Sequence, residues 1–384
     1  MRKVLVLAAA VALGLGLAMT ATAGNGTPIN TGSANTLTLA VYGDAPYGTS
    51  NTDTAEFEAT PNFVDAVNHD PHVSLVVHVG DIHSGSQRCT QGYDQSVFDL
   101  WKAYKDPLIY TPGDNEWSDC QKTKELGGLP PSASYANANP VDNLALIRQI
   151  YFPQAGYTLG GRPKQVISQA QVGTGTDANY VENVMWEQSK TLFFTVNLPG
   201  GSNDDTDPWY GQPITQQQLD ERSQRDQADL DWIATAFDQA EADGVGSVVI
   251  ITQADMWDTT DSPSHQTHYE PFVSAIADRT AEFGGPVLLI NGDSHLYRSD
   301  DPLMPGSPCV AEATPHTTAT PCAADAYQQH PNNYDVPNFH RIVVHGSTPV
   351  PLEYLRLTDN PRADNPTTDS SFGPFSWERV VPNP

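Results

Sequence analysis

The chain has 384 residues with 19 Lys+Arg against 46 Asp+Glu, a formal charge of −27. So acidic a chain lacks the basic face that nucleic-acid binding needs to displace counterions, and it lacks a polybasic patch for an anionic membrane surface. With 39% hydrophobic residues, 7 Trp, 15 Tyr and 12 Phe it can bury a core, and 31 Pro with 29 Gly predict many turns and long loops.

Arg2 and Lys3 precede an apolar run from Val4 to Met19, and Ala21-Thr22-Ala23 follows as a small-x-small cleavage pattern. Residues 1–23 therefore read as a secretory signal peptide, and the run is short for a membrane-spanning helix. No later stretch is long and apolar enough to span a bilayer, so neither stable membrane insertion nor a nucleic-acid partner is expected. A secreted or periplasmic location follows, and such a compartment permits disulfides. Of the three possible pairings of four cysteines, a local Cys309–Cys322 bridge in a Pro/Thr/Ala-rich loop leaves Cys89 to pair with Cys120.

Residues 24–35 read as a flexible lead-in, and residues 24–384 as one domain. Short β-branched runs then recur: Leu37–Tyr42, Val73–Val79, Leu108–Tyr110, Val248–Ile251 and Val287–Ile290. Each reads as a buried strand. Phe63–His69, Val97–Tyr104 and Leu144–Ile150 fit helices, as does Gln217–Ala242, where Leu230, Ile233, Phe237 and Ala240 share a face. Tyr180–Trp186, Leu192–Val196, Ile342–Val344 and Leu352–Leu357 supply a second sheet, giving a sandwich with helices outside. Residues 121–140 and 301–337 read as long loops and 359–384 as mostly irregular.

The informative pattern is positional. Gly43-Asp44, Gly80-Asp81, Gly113-Asp114 and Gly292-Asp293 each follow a strand, and His295 lies just beyond the last pair. In α/β sheets, sites form outside the carboxyl ends of strands, so these acids gather on one edge. Gly-Asp is also a common turn signal, and any single instance is more often structural. Four carboxylates packed together repel unless a cation joins them, and hard cations take oxygen ligands.

The motif order resembles the calcineurin-like metallophosphoesterase family. The matching stretches are Asp44-Ala45-Pro46, Gly80-Asp81-Ile82-His83, Gly113-Asp114-Asn115-Glu116, Gln253 and Gly292-Asp293-Ser294-His295. The resemblance implies a four-layer αββα sandwich of the metallophosphoesterase type. It also implies two divalent ions, one held by Asp44, Asp81 and His295, the other by Asp81, Asp114, Gln253 and Asp293, with Asp81 bridging. The chain departs from the pattern in placing Pro46, Gln253 and Asp293 where the family has ligand His residues, and Asp114 where it has Asn. Asn115 occupies the position of the His that assists the leaving group, and an amide cannot act as a useful acid. An oxygen-rich set favours Mg, Mn or Ca over Zn.

Around this edge, His83 is a candidate replacement proton donor, with Tyr47 and Arg298 as candidate phosphate contacts. Glu116 reads as an orienting group, His78 as a core histidine and His345 as a weak candidate. His265 and His268 read as surface loop residues. The expected function is a secreted metal-dependent phosphoesterase, hydrolysing a small phosphate ester with a metal-activated water. The alternative is a non-catalytic secreted protein that keeps the fold with a degenerate metal site. Oligomeric state is left open by the sequence.

Overall fold

The computed structural model describes residues 35–48, 50, 52–85, 87–122, 135–204, 208–209, 213–322, 330, 332–346 and 352–382. The expected signal peptide and most of the lead-in fall outside these residues. The chain first lays down β1 (Leu37–Tyr42), β2 (Leu75–His78), β3 (Pro107–Tyr110) and β4 (Leu159–Gly160). It then moves to a second sheet through β5 (Ile167–Ser168), β6 (Val184–Gln188), β7 (Thr191–Thr195), β8 (Ser247–Ile251), β9 (Val287–Asn291), β10 (Arg298–Asp300), β11 (Val310–Ala311), β12 (Thr320–Pro321) and β13 (Phe339–Val343). It returns to the first sheet with β14 (Tyr354–Asp359), β15 (Ser371–Phe372) and β16 (Phe375–Val380).

Spatial order in the first sheet is β15-β16-β14-β1-β2-β3-β4, and in the second β12-β11-β10-β13-β9-β8-β7-β6-β5. The centre of each sheet is parallel: β1 pairs with β2 and β2 with β3, while β7, β8, β9 and β13 pair in series. Parallel strands present all their carboxyl ends on one edge, which collects the residues that follow them.

Strand alternation explains the layering. Leu39 and Val41 of β1 join Val249 and Ile251 of β8, Leu288 and Ile290 of β9 and Leu357 of β14 in an apolar layer between the sheets. The alternate residues Ala40 and Tyr42 face outward beneath α1 (Ala55–His69), α2 (Gln91–Trp101) and α3 (Pro140–Tyr151), where Phe63, Val67, Trp101 and Ile147 cover them. On the far side, Val248 and Ile250 lie under α4 (Gln216–Asp243) and α5 (Glu270–Phe283), against Trp232, Phe237, Phe272 and Ile276. The result is the four-layer αββα sandwich. Truncating a fully buried residue of the inter-sheet layer such as Leu357 to Ala costs about 2–5 kcal/mol.

The helices run longer than the apolar pattern predicts. The first begins at Ala55 and continues through Pro61. The fourth is closed by its own caps, with the Thr215 hydroxyl accepting from Gln218 N–H and Gly244 in the left-handed region at φ 64°. Residues 359–384, expected to be irregular, contain β15 and β16. Phe375 and Trp377 enter the inter-sheet layer while Ser376 and Glu378 face away, a true period of two. Both expected disulfides form, Cys89–Cys120 and Cys309–Cys322, with Cα–Cα distances of 5.6 and 5.5 Å. The first ties the loop after β2 to the loop after β3; the second closes the β11–β12 hairpin.

Candidate metal centre

Each candidate acid sits where a strand ends. Beyond β1 the chain turns at Asp44, whose N–H donates to Gly80 O at 2.9 Å, and Ala45 N–H donates to Asp81 O at 3.0 Å. The loops after β1 and β2 are thereby zipped together. His78, fully buried at the end of β2, reinforces this: its Nε2–H donates to Ala45 O at 2.9 Å while Nδ1 accepts Gly80 N–H at 3.2 Å. That tautomer is neutral, and burial pushes its pKa down to about 3. Sequence reading treats His78 as core; the structure makes it a core residue that also positions two loops of the site.

Four of the six candidate ligands have left-handed backbones: Asp44 at φ 48°, Asp81 at 57°, Asp293 at 76° and His295 at 66°. For residues with a Cβ this conformation is uncommon and costs about 1–3 kcal/mol each, and it concentrates at functional sites. Their neighbours supply the room. Gly80 itself adopts φ 105°, and a Cβ on Gly113 would lie 2.0 Å from Asp81 Oδ1.

Carboxylate oxygens of Asp81, Asp114 and Asp293 lie within 4.8 Å of one another. Asp81 comes from the first sheet and Asp293 from the second, so the cluster bridges the sandwich. Asp44 stands beside it, its Oδ1 and Oδ2 accepting Asp293 N–H at 3.1 and 3.2 Å. His295 Nε2 is 3.4 Å from Asp44 Oδ1 and 3.2 Å from the Tyr47 hydroxyl. Two donors to one ion at ~2.1 Å each sit on the order of 3 Å apart, so this spacing suits a shared cation. Asp44, Asp81, Asp114 and Asp293 all have pKa values raised well above the carboxylate range. Burial is the leading cause for each, followed by the neighbouring carboxylate charges. The donor set of these acids is compatible with a cation, because a hard divalent ion removes both penalties at once.

Further residues hold the acids. Glu116 Oε1 accepts from Tyr110 OH at 2.6 Å and Gly113 N–H at 2.7 Å, and Oε2 accepts from Ile82 N–H at 3.4 Å. It clamps the loops after β2 and β3, an orienting role. Asp293 Oδ2 accepts Asp255 N–H at 3.1 Å, and Asp255 is held by Ser294 Oγ at 2.8 Å and by buried Arg341. Arg341 also grips Asp300 through two bonds of 2.9 Å. This Arg341–Asp255–Asp300 support escapes sequence reading because its members lie on three different elements without a motif.

Three candidates are placed differently from expectation. Gln253 does reach the cluster, but as a donor. Gly200 N–H donates to its Oε1 at 2.5 Å, which fixes the amide so that Nε2 faces Asp81 Oδ2, Asp114 Oδ1 and Asp293 Oδ1 at 3.0, 2.9 and 3.1 Å. The reverse orientation would set two donors against each other. Gln253 therefore bridges the acids through hydrogen bonds rather than presenting an oxygen. Arg298 is buried on β10, its guanidinium engaged by Asp300 and lying 3.4 Å from Cys309 Sγ through Nη2. Those contacts make it part of an internal ion pair, not a phosphate clamp. His83 is completely buried, its Nε2 3.9 Å from Asp94 Oδ1 and its ring edge-on to Tyr93, and burial pushes its pKa to about 4. Neutral and shut from solvent, it is poorly set to hand a proton to a leaving group. Asn115 is half-buried beside Gly85 and donates its backbone N–H to Asp81 Oδ1 at 3.2 Å. His265 lies at the surface as expected, with Asp261 at 3.9 Å, but on a short helix, Pro263–Gln266, rather than in a loop.

These features define a sandwich carrying a cluster of acids at the carboxyl edge of its two parallel sheet centres. The profile of the family described as calcineurin-like phosphoesterase matches residues 37–297, more than half of the chain, and the chain belongs to that family. No curated protein matches the sequence. Among solved structures the chain is similar to a purple acid phosphatase from yellow lupin (Lupinus luteus) seeds, at 10% identity and a TM-score of 0.41. The alignment covers 86% of this chain and 50% of the lupin protein, so the chain spans about half that protein's length.

Proposed function

We propose that this protein is a secreted, metal-dependent phosphoesterase acting on small phosphate esters. The observation that carries the reading is the convergence of buried Asp81 and Asp114 with half-buried Asp293, from both sheets, beside the Asp44–His295 pair. Asp44, Asp81 and His295 would hold one divalent ion, and Asp81, Asp114 and Asp293 a second, with Asp81 shared. The oxygen-rich donor set favours Mg, Mn or Ca over Zn. Bound cations there supply positive charge to phosphate oxygens and lower the pKa of water. The chain's own groups keep the acids in place: Gln253 ties three carboxylates together, Glu116 and His78 hold their loops, and the Tyr47 hydroxyl orients His295. Asn115 stands where a leaving group would depart but brings no acid proton, so activated aryl esters should be favoured over alkyl esters. Two disulfides and the apolar leader at residues 1–23 support export.

A second reading, a non-catalytic family member, is favoured by one observation: the Gln253 amide already links three of the acids through hydrogen bonds. One experiment separates the two. The chelated protein is supplied in turn with Mg, Ca, Mn and Zn and assayed on aryl and alkyl phosphomonoesters and diesters. Hydrolysis restored by a hard ion supports the enzyme. Metal binding without turnover on any ester supports the second reading.

A further inference from the structure

A separate cluster lies off the acid site. The Cys309–Cys322 bridge, with Cys322 N–H donating to Cys309 O at 3.0 Å, closes a hairpin whose tip carries His316. His316 adopts φ 59°, a left-handed conformation that holds its imidazole against that of His345, ring centroids 4.4 Å apart. His345 follows β13 in the second sheet, and Glu353 precedes β14 in the first. The ligand atoms of His316, His345 and Glu353 lie within 4.8 Å of one another. Two of the three are more than nine-tenths buried, His345 and Glu353 each at 6% exposure.

We propose that His316, His345 and Glu353 bind a zinc ion. Two imidazoles and one carboxylate are a nitrogen-rich set of the kind zinc takes with three protein ligands, unlike the oxygen-rich acid cluster. The supporting groups are arranged as metal-bound histidines require. His345 Nδ1 is bonded to Glu312 Oε2 at 2.8 Å, which places the proton on Nδ1 and the lone pair on Nε2. Glu312 is itself anchored: Tyr297 N–H donates to the same Oε2 at 3.0 Å, and Arg379 bonds Oε1. Arg379 also orients Glu353 through bonds of 2.5 and 2.9 Å and holds the hairpin at Thr317 O at 3.0 Å. The Glu312 and Glu353 carboxylates against the one Arg379 guanidinium leave a net negative charge of one beside the two imidazoles, which suits a divalent ion. The ion would clasp the hairpin to both sheets. It would flank the acid cluster, since Gly346, next to His345, donates its N–H to His295 O at 3.0 Å.

The test uses the full chain after chelation, with cobalt(II) and zinc as probes. Asp81→Asn removes the shared ligand of the acid cluster, so the two sites are read separately. In that background one equivalent of zinc should bind, and cobalt(II) should give the visible absorption of a tetrahedral site. Adding His316→Ala, an exposed position whose change leaves the core untouched, should weaken zinc by at least about 10-fold and abolish the band. Glu312→Gln should weaken zinc by about 10–100-fold by unfixing the His345 tautomer. A missing equivalent in Asp81→Asn, or one that His316→Ala leaves unchanged, overturns the proposal. Hydrolysis on the wild-type chain reads the acid site independently.

Discussion

The acid cluster and the His316–His345–Glu353 cluster occupy neighbouring parts of one sandwich, yet they arise in opposite ways. The acids follow strands that run parallel, so the fold delivers them to one edge through main-chain geometry, and Gln253, Glu116 and Asp255 then hold them there. The histidine cluster draws on a hairpin tip, a strand end and a strand start from two sheets, held by Glu312 and Arg379. The first is rich in oxygen and in left-handed backbone; the second is rich in nitrogen and in side-chain support. Strand topology thus suffices to bring acids to one edge, whereas the imidazole–carboxylate cluster exists only through contacts between distant elements.

The largest effect should come from the residue that the acid site shares. Asp81→Asn should cut hydrolysis by about 10³-fold or more, with far-UV dichroism unchanged. Full activity in that variant would break the two-ion reading of the acid edge and leave the comparison with the histidine cluster without its first term. Next, Asn115→His restores a proton donor at the leaving-group position. Alkyl esters should gain about 10²-fold while aryl esters change little, because acid assistance matters most for poor leaving groups. An equal change in both ester types would mean that position 115 does not face the leaving group.

A third test uses a buried acid outside both clusters. Asp359, on β14, has its pKa pushed up to about 7 by burial, only partly offset by the Thr191 and Ser189 hydroxyls. Its folded value exceeds its unfolded one, so the folded state holds the proton more tightly. Stability from this group is present at low pH and is lost as pH climbs from about 4 to about 7. Asp359→Asn should therefore match the wild type near pH 4 and exceed it at pH 8 by on the order of 4 kcal/mol. Thermal melts across that range check the sign, and identical curves would show that burial alone does not raise an isolated acid. The smallest effect concerns Gln253. Gln253→His replaces a donor with a ligand and should tighten the second ion about 10-fold, toward Zn rather than Mg. Metal titration followed by calorimetry reads this, and weaker binding would show that the amide bridge is needed to hold the acids.

Much of the fold was legible because its physics is local. β-branched runs ending in Gly-Asp mark strands and their carboxyl ends, and the topology then has little freedom. The Cys89–Cys120 bridge follows from two loops sharing an edge. β16 escapes sequence reading because Pro-rich flanks hide its alternation, and the first helix extends back to Ala55 through Pro61, with Phe63 and Val67 packed in the core.

The amino-acid sequence alone determined the acidic composition, the strand pattern, the family motifs and the four aspartates that follow strands, since each is written locally in the chain. Tertiary structure decided how the side chains are used. Gln253 became a donor because Gly200, distant in sequence, claims its oxygen. Arg298 turned to Asp300 because burial makes a polar group take the partner packed against it, and His83 was enclosed beside Asp94 and Tyr93 by the packing of the loop after β2. His316, His345 and Glu353 meet only after two sheets and a disulfide-closed hairpin are assembled, and no spacing in the sequence encodes a contact made across three elements.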